Sequence, residues 1–296
     1  MDLYMPGTVS WWESQCYYHA LAYLGREGII ICRPAERYVC LGLHDDLEQE
    51  IDRNFCHEHG LPLLRRETGG GVVLLDSNQI FYQVVLSREN PIVPARRTDL
   101  FGRMLMPALR VYNSLGIEAR LVPPADIKAG SRKCSGNAAG DIGQCVVYIG
   151  NLLLDFDHEI MSSVLKVPTP SFRAMLKKAL RDHILTIADS IGTVKSQYLE
   201  SSLAREFSAL FGDLNRREID AELKDTALSL RDRLTSEEWL CMPGHRSGLR
   251  SVKIAEGIHV KEIETGKMQT ATVLVRERVG EAADTNPVEV TEYAVR

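Results

Sequence analysis

Residues 65–76 read RRETGGGVVLLD, and the three consecutive glycines at 69–71 constrain the fold more than any other stretch. Each glycine costs backbone entropy on folding, so a triplet is retained where the chain needs positive φ or an approach that a Cβ would block. The preceding LPLLRRE is strand-like, and the following VVLLD is apolar and β-branched. A hairpin turn would account for glycines alone. It would not account for the paired Arg65 and Arg66, the Thr68 hydroxyl, or a second small-residue loop, SRKCSGNAAG, at 131–140. The segment is neither a GxxxxGK[ST] loop nor a GxGxxG that opens a helix. Glycine backbone lets amides approach an anion, an arginine clamps it, and a lysine reaches it as a point charge. The two loops together predict a site for a carboxylate and a phosphate, as in an acyl-adenylate.

The totals narrow the class. The chain has 296 residues, 45% apolar and 25% charged, enough for one large domain and a small one. A net charge of −5 gives no reason to expect nucleic-acid binding. No window approaches the uncharged apolar length of a membrane span. MDLYMPGTVSWWES lacks a basic region followed by an apolar run, so no secretory signal is expected. Seven cysteines without a CxxC read as free thiols, which predicts a cytoplasmic protein. His57 and His59 stand two apart, poor spacing for one helix face, and no metal site is expected.

Along the chain, residues 10–25 read as a helix stopped by Gly25, and GIIIC and YVCLGL as short strands about Pro34. LEQEIDRNFCHEHG reads as one amphipathic helix ending at Gly60. IFYQVVLS reads as a strand, and residues 98–116 as a helix that Pro107 bends or splits. KAGSRKCSGNAAGDIG reads as a loop, and QCVVYIGNLLLDFD as a hairpin turning at Gly150-Asn151. Two strong helices follow. From about 216 the chain is highly charged, then strand-rich, and the expected division is a catalytic domain at 1–215 and a small accessory domain at 216–296. The fold class is α+β, a mixed, largely antiparallel sheet flanked by helices.

Three motifs resemble the lipoate–protein ligase family of the biotin/lipoate ligase superfamily. RRxTGGG with its apolar run and aspartate is matched by Arg65 to Gly71 and Asp76. ADIKAGSRKCSGNAAG carries the family's second loop, with Asp126, Lys133, Ser135, Gly136, Asn137 and Ala138 in register. GNLLLDFD at 150–157 resembles the third motif, and the likeness spans roughly residues 10–210.

The resemblance implies a ligase that uses ATP and Mg²⁺ to activate lipoate as lipoyl-AMP, then lipoylates a lysine of an acceptor protein, an E2 lipoyl domain or an H-protein-like domain. Neither a membrane nor nucleic acid takes part. The resemblance places ligand contacts on Arg66, Thr68, Gly69, Gly70, Gly71, Val72, Val73 and Leu74, and on Asp126, Lys133, Ser135, Gly136 and Asn137. Lys133 is the expected catalytic residue. Its ammonium would offset the repulsion between carboxylate and α-phosphate, then stabilise the oxyanion of acyl transfer. The chain departs from the family at Leu75 and Ile149, where histidines are usual, and at Ala125, usually asparagine. Two alternatives stand beside the ligase. One is an octanoyltransferase working through a cysteine thioester, with Cys134 and Cys145 as the thiols near the lysine loop. The other is a non-catalytic lipoyl-binding homologue. In the C-terminal part, HRSGLRSVK at 245–253 is a basic cluster suited either to a solvated hairpin or to docking an acidic acceptor.

Overall fold

The computed structural model describes residues 1–94, 96–266, 269–277 and 289–295. The chain begins with β1 (Asp2–Val9), α1 (Glu13–Tyr23), β2 (Gly28–Pro34), β3 (Tyr38–Leu41), α2 (Leu47–Glu50), α3 (Arg53–Glu58), β4 (Leu63–Arg65), β5 (Val73–Leu75) and β6 (Gln79–Ser87). It continues through α4 (Arg97–Met104), α5 (Met106–Ser114), β7 (Ala119–Val122), β8 (Asp126–Ala129), β9 (Arg132–Ser135), β10 (Asn137–Ile142) and β11 (Cys145–Leu153). Helices α6 (His158–Val164), α7 (Pro170–His183), α8 (Ile187–Ile191) and α9 (Ser196–Phe211) follow. The C-terminal part is β12 (Asn215–Arg217), α10 (Ala221–Leu234), α11 (Glu237–Leu240), β13 (Ser251–Ala255), β14 (Ile258–Gly266), β15 (Gln269–Arg276) and β16 (Glu289–Val295).

The central sheet has the order β10-β11-β6-β2-β1-β12. Its β10, β11, β6 and β2 pair antiparallel, while β1 pairs parallel to both β2 and β12. One face packs α5 and α9 through Leu105, Val111, Leu199, Leu203 and Phe207. The other packs α1 and α10 through Tyr18, Leu21, Leu223, Ala227 and Leu230. Helix α1 is buried from Ser14 to Ala22 because it lies between the sheet and α10. A third apolar cluster joins β3 and β5 to α6, α7 and the antiparallel sheet β13-β14-β15-β16. Each Leu or Ile buried in these clusters contributes about 1.5–3 kcal/mol. The fold is thus the expected α+β arrangement about a mixed, mostly antiparallel sheet.

Three local readings of the sequence are corrected. The segment 128–143, read as a loop, contains the end of β8, all of β9 and β10. Its small residues sit in strands because the glycine loop packs on them: a Cβ at Gly140 would lie 3.0 Å from Thr68 Cα. Gly150-Asn151 is not a turn; β11 runs straight through and pairs with β6 along its length. Gly150 is there because the Tyr82 ring covers it, leaving 2.3 Å to where a Cβ would stand. The single helix read over 47–60 is two, broken where Ile51 becomes extended and Asp52 caps α3 by accepting from Phe55 N–H at 3.1 Å. Residues 2–9, left unread, form β1. Pro107 does divide its segment, at the first turn of α5.

From Asn215 onward the chain returns to the same body. Strand β12 extends the central sheet, and α10 covers α1. The strands β13 to β16 form a sheet of their own. No helix among the described residues is long and apolar enough to cross a membrane.

Candidate active site

The two loops picked out in the sequence meet. Gly70 to Leu75 form one wall of a cleft of about 460 Å³, and Asp126, Lys133 and Ser135 to Ala138 form the facing wall. Thr68 and Gly69, expected among the ligand contacts, do not line it. Thr68 is fully buried behind the loop, and its carbonyl accepts from Leu43 N–H at 2.9 Å. A second concavity of about 790 Å³, beside α3, contains none of the motif residues.

The glycine triplet is explained by approach. Gly70 has φ +88°, and a Cβ on Gly42 would stand 1.8 Å from the Gly70 carbonyl oxygen. Two backbone segments touch where side chains have no room, and only glycine permits that at both positions. Gly71 has nothing within 4 Å of the place a Cβ would take, so its backbone is open to the cleft.

The arginines do different work from that expected. Arg65 is buried and donates to the carbonyls of Leu43, Asp45, Leu240 and Met242 at 3.1, 2.6, 2.5 and 3.2 Å. Arg66 donates from Nε and Nη2 to Gly69 O at 3.2 and 2.8 Å, from Nη2 to Gly71 O at 2.9 Å, and from Nη1 to Cys40 O at 3.3 Å. Its guanidinium lies in the cleft wall, yet its donors are spent on carbonyls of the loop and of β3. Arg66 shapes the loop.

Lys133 stands on β9, with Nζ 2.8 Å from Asp126 Oδ1 on the adjoining β8. Asp126 is buried, and its Oδ2 accepts from Glu256 N–H at 2.8 Å. Beyond Lys133 the strand end is pinned. Ser135 Oγ donates to Asn151 O at 2.8 Å, and Gly136 N–H donates to Asn151 Oδ1 at 2.7 Å. Asn151 in turn donates to Gln79 Oε1 at 2.8 Å. Asn137 Oδ1 accepts from Tyr148 Oη at 2.8 Å and Tyr82 Oη at 3.3 Å, while its Nδ2 donates to Ala125 O at 2.9 Å. These amides hold the wall in place, and Lys133 is the cation that this wall presents to the cleft.

Cys134, beside the lysine, points into the core. It is 1% exposed, and burial pushes its thiol up to about 12. Cys145 is equally buried, with its thiol raised by desolvation, and lies outside the cleft. Among the described residues Cys40 alone of the seven cysteines lines the cleft, and burial raises its thiol against the opposing pull of Arg66. A desolvated thiol is a poor nucleophile.

Sequence reasoning missed several lining residues. Gln79, Asn151 and Phe156 come from β6, β11 and the approach to α6. Ser251, Val252, Lys253, Ile254 and Glu256 come from β13 and its turn. Asn151 and Phe156 fall in GNLLLDFD and Ser251 to Lys253 in the basic cluster, but pairing across the sheets is what brings them to the cleft. In the basic cluster 245–253, Arg246, Arg250 and Lys253 each have a carboxylate partner within the chain. Arg246 pairs with Asp46 at 2.6 Å, Arg250 pairs with Glu50 at 2.7 Å, and Lys253 pairs with Glu256.

Comparison with known proteins gives the same outline. The family model for the lipoyl protein ligase A/B catalytic domain matches residues 12–208. Lipoate-protein ligase A subunit 1 of Thermoplasma acidophilum is 28% identical over 216 residues, 69% of this chain and 80% of that protein. Octanoyltransferase LipM of Kyrpidia tusciae is 26% identical over 223 residues, 67% of this chain and 81% of that protein. Among solved structures, a bi-partite lipoate protein ligase from T. acidophilum, described with its E2 lipoyl domain, aligns with a TM-score of 0.73. It is 24% identical and covers 83% of this chain and 98% of that one. A lipoate-protein ligase A bound with ATP aligns with a TM-score of 0.67 at 24% identity, covering 81% and 98%. With two loops converging on one cleft and a family match over most of its length, this chain belongs to the lipoyl protein ligase A/B catalytic domain family.

Proposed function

We propose that the chain is an ATP-dependent lipoate–protein ligase. The carrying observation is the Lys133 ammonium standing in the cleft opposite the open backbone of Gly71, with the Cys134 thiol withdrawn into the core. The cleft suits an acyl-adenylate. Its apolar lining, Leu75, Phe81, Ile149 and Leu153 among it, would take the acyl chain. The amides from Gly71 to Leu74 would face the nucleotide. Lys133 would leave Asp126 to hold the carboxylate and α-phosphate together as the oxygen attacks phosphorus. It would then stabilise the carbonyl oxyanion when an acceptor lysine displaces AMP. Magnesium would arrive on the phosphates. Among the described residues, no three His, Cys, Asp or Glu side chains gather to hold a metal by themselves. The acceptor proposed is a lipoyl domain, the partner with which the T. acidophilum ligase is described.

The second reading is a thioester-forming transferase, favoured by the octanoyltransferase relatives. The buried thiols of Cys134 and Cys145 weigh against it, and Cys40 is the thiol it would have to use. Pyrophosphate exchange into ATP that depends on lipoate separates the readings. A ligase shows it; a transferase or a non-catalytic binder does not. Lys133→Ala and Lys133→Arg should lose on the order of 10²–10³ in turnover, since arginine's planar fork does not reproduce a compact ammonium. Cys134→Ser should lose little. Full activity in Lys133→Ala, or an acyl-cysteine found by mass spectrometry together with inactive Cys40→Ser, would overturn the ligase reading.

A further inference from the structure

The cleft poses an electrostatic difficulty for an anionic co-substrate. Its lining holds three cations, Arg66, Lys133 and Lys253, against four carboxylates. Glu50 is neutralised by Arg250 in a bidentate pair at 2.8 and 2.7 Å, and Asp126 by Lys133. Arg66 is spent on backbone carbonyls. If Lys133 serves the reacting carboxylate and α-phosphate, the terminal phosphates lack a protein cation.

Lys253 is placed to supply it. It lies on β13, the edge strand of the C-terminal sheet, with its side chain 49% exposed at the cleft rim. Its partner, Glu256, lies three residues away across the turn into β14. The ammonium end is half-exposed and solvent screens the pair, so a phosphate displaces it readily. Val252 and Ile254, flanking it, are buried in the cluster shared with Leu74, Met161 and Leu165, which fixes the strand over the cleft. The turn is fixed as well: Glu256 N–H donates to Asp126 Oδ2 at 2.8 Å, and Lys128 Nζ donates to Glu256 O at 2.8 Å. One carboxylate, Asp126, therefore holds both the Lys133 ammonium and the turn that presents Lys253.

Resting on the ligase reading, we propose that Lys253 binds the β- and γ-phosphates of the nucleotide and acts in the activation step only. In that step a carboxylate oxygen forms a bond to the α-phosphorus, and the bond from that phosphorus to the bridging oxygen breaks. Pyrophosphate leaves with the electron pair, and Lys253 offsets the charge that accumulates on it. No proton need move. In the transfer step the acceptor amine attacks the acyl carbonyl, AMP leaves and the amine proton passes to solvent. No pyrophosphate is present, and Lys253 has no anion to serve.

The test uses the full chain as wild type, Lys253→Ala and Glu256→Gln. Two reactions are measured: lipoate-dependent exchange of pyrophosphate into ATP, and transfer from synthetic lipoyl-adenylate to a lipoyl domain without ATP. Inhibition by added pyrophosphate is recorded alongside. Lys253→Ala should slow exchange on the order of ten- to a hundredfold and weaken pyrophosphate inhibition in parallel, with transfer unchanged. Glu256→Gln releases the ammonium and should strengthen pyrophosphate inhibition. Undiminished exchange in Lys253→Ala, or equal loss of exchange and transfer, overturns the assignment while the ligase reading stands. Absence of exchange in the wild type overturns both.

Discussion

His19 is an imidazole with no room for a second proton. It is fully buried on α1, with Nδ1–H donating to Gln15 O at 2.8 Å and Nε2 accepting from Glu67 N–H at 3.1 Å. Burial pulls its pKa down to about 3, and Arg233 and Arg66 add to the effect. In the unfolded chain the ring titrates near 6.5. Between that value and about 3, the unfolded state binds a proton that the folded state does not, so stability falls as pH drops below 6.5. The slope from this one group is about 1.4 kcal/mol per pH unit. His158, His183 and His259 are lowered by burial too and add in the same direction. Denaturant unfolding at pH 7 and pH 5 should show the loss, and His19→Gln should flatten it; an unchanged slope in that variant would remove His19 as the cause. Because Nε2 caps the amide of Glu67, the same ring also seats the glycine loop. That the glycine triplet and Lys133 come from two loops of related chemistry was legible in the sequence, and Gly70, Gly71 and Lys133 line one cleft. The use of Arg66 was not legible. A sequence offers an arginine beside glycines as a clamp for something external, whereas hydrogen bonds to the carbonyls of Gly69, Gly71 and Cys40 are a property of the folded backbone alone.

At the scale of elements, legibility failed where local propensity and sheet context disagree. Gly, Ala, Ser and Asn in 135–143 are poor strand formers, and Gly150-Asn151 is a favourable turn pair. Pairing of β10 with β11 and of β11 with β6 overrides both preferences. The small side chains are chosen for what lies above them, Thr68 over Gly140 and Tyr82 over Gly150. Gly150→Ala should therefore push Tyr82 away from Asn137 and loosen the lysine wall. The expected cost is about 1–3 kcal/mol of stability, together with weaker lipoate binding, measured by thermal unfolding and calorimetry. A variant that melts and binds like wild type would show that Tyr82 has space to yield. The amphipathic helices α7 and α9 were easily read because their apolar spacing, not their neighbours, determines them.

At the scale of the whole molecule, the C-terminal residues hold the cleft from two directions. Arg233 pairs with Glu67 at 2.6 Å, and Trp239 Nε1 donates to Arg65 O at 2.9 Å, so α10 and α11 brace the glycine loop from behind. Arg250, 7% exposed, ties β13 to Glu50 and to Lys166 O at 2.9 Å, so the four-stranded sheet closes the cleft from the front. Arg250→Ala leaves Glu50 uncompensated at this seam and should free the sheet. Faster proteolysis between 241 and 250, with helix and strand content otherwise kept, is the expected outcome; unchanged cleavage would show that the Asp126–Glu256 contact alone suffices. None of these pairings could be read in advance, since each joins residues far apart in the chain, from 84 positions for Arg250 and Lys166 to 200 for Arg250 and Glu50.

The cover that α10 lays over α1 determines where this polypeptide can be divided. Cutting after residue 215 would strip Leu223, Ala227 and Leu230 from Tyr18 and Leu21 and open a greasy face to water, a route to aggregation rather than to a smaller working unit. At Gly248, by contrast, a Cβ would meet nothing within 4 Å. A nick there keeps α10 on α1 and parts the chain where Val252, Ile254, Val260 and Leu274 of the C-terminal sheet pack on Leu74, α6 and α7. Two polypeptides made to that boundary would each need the other to cover that shared apolar face, so that assembly of the halves and completion of the cleft become a single event.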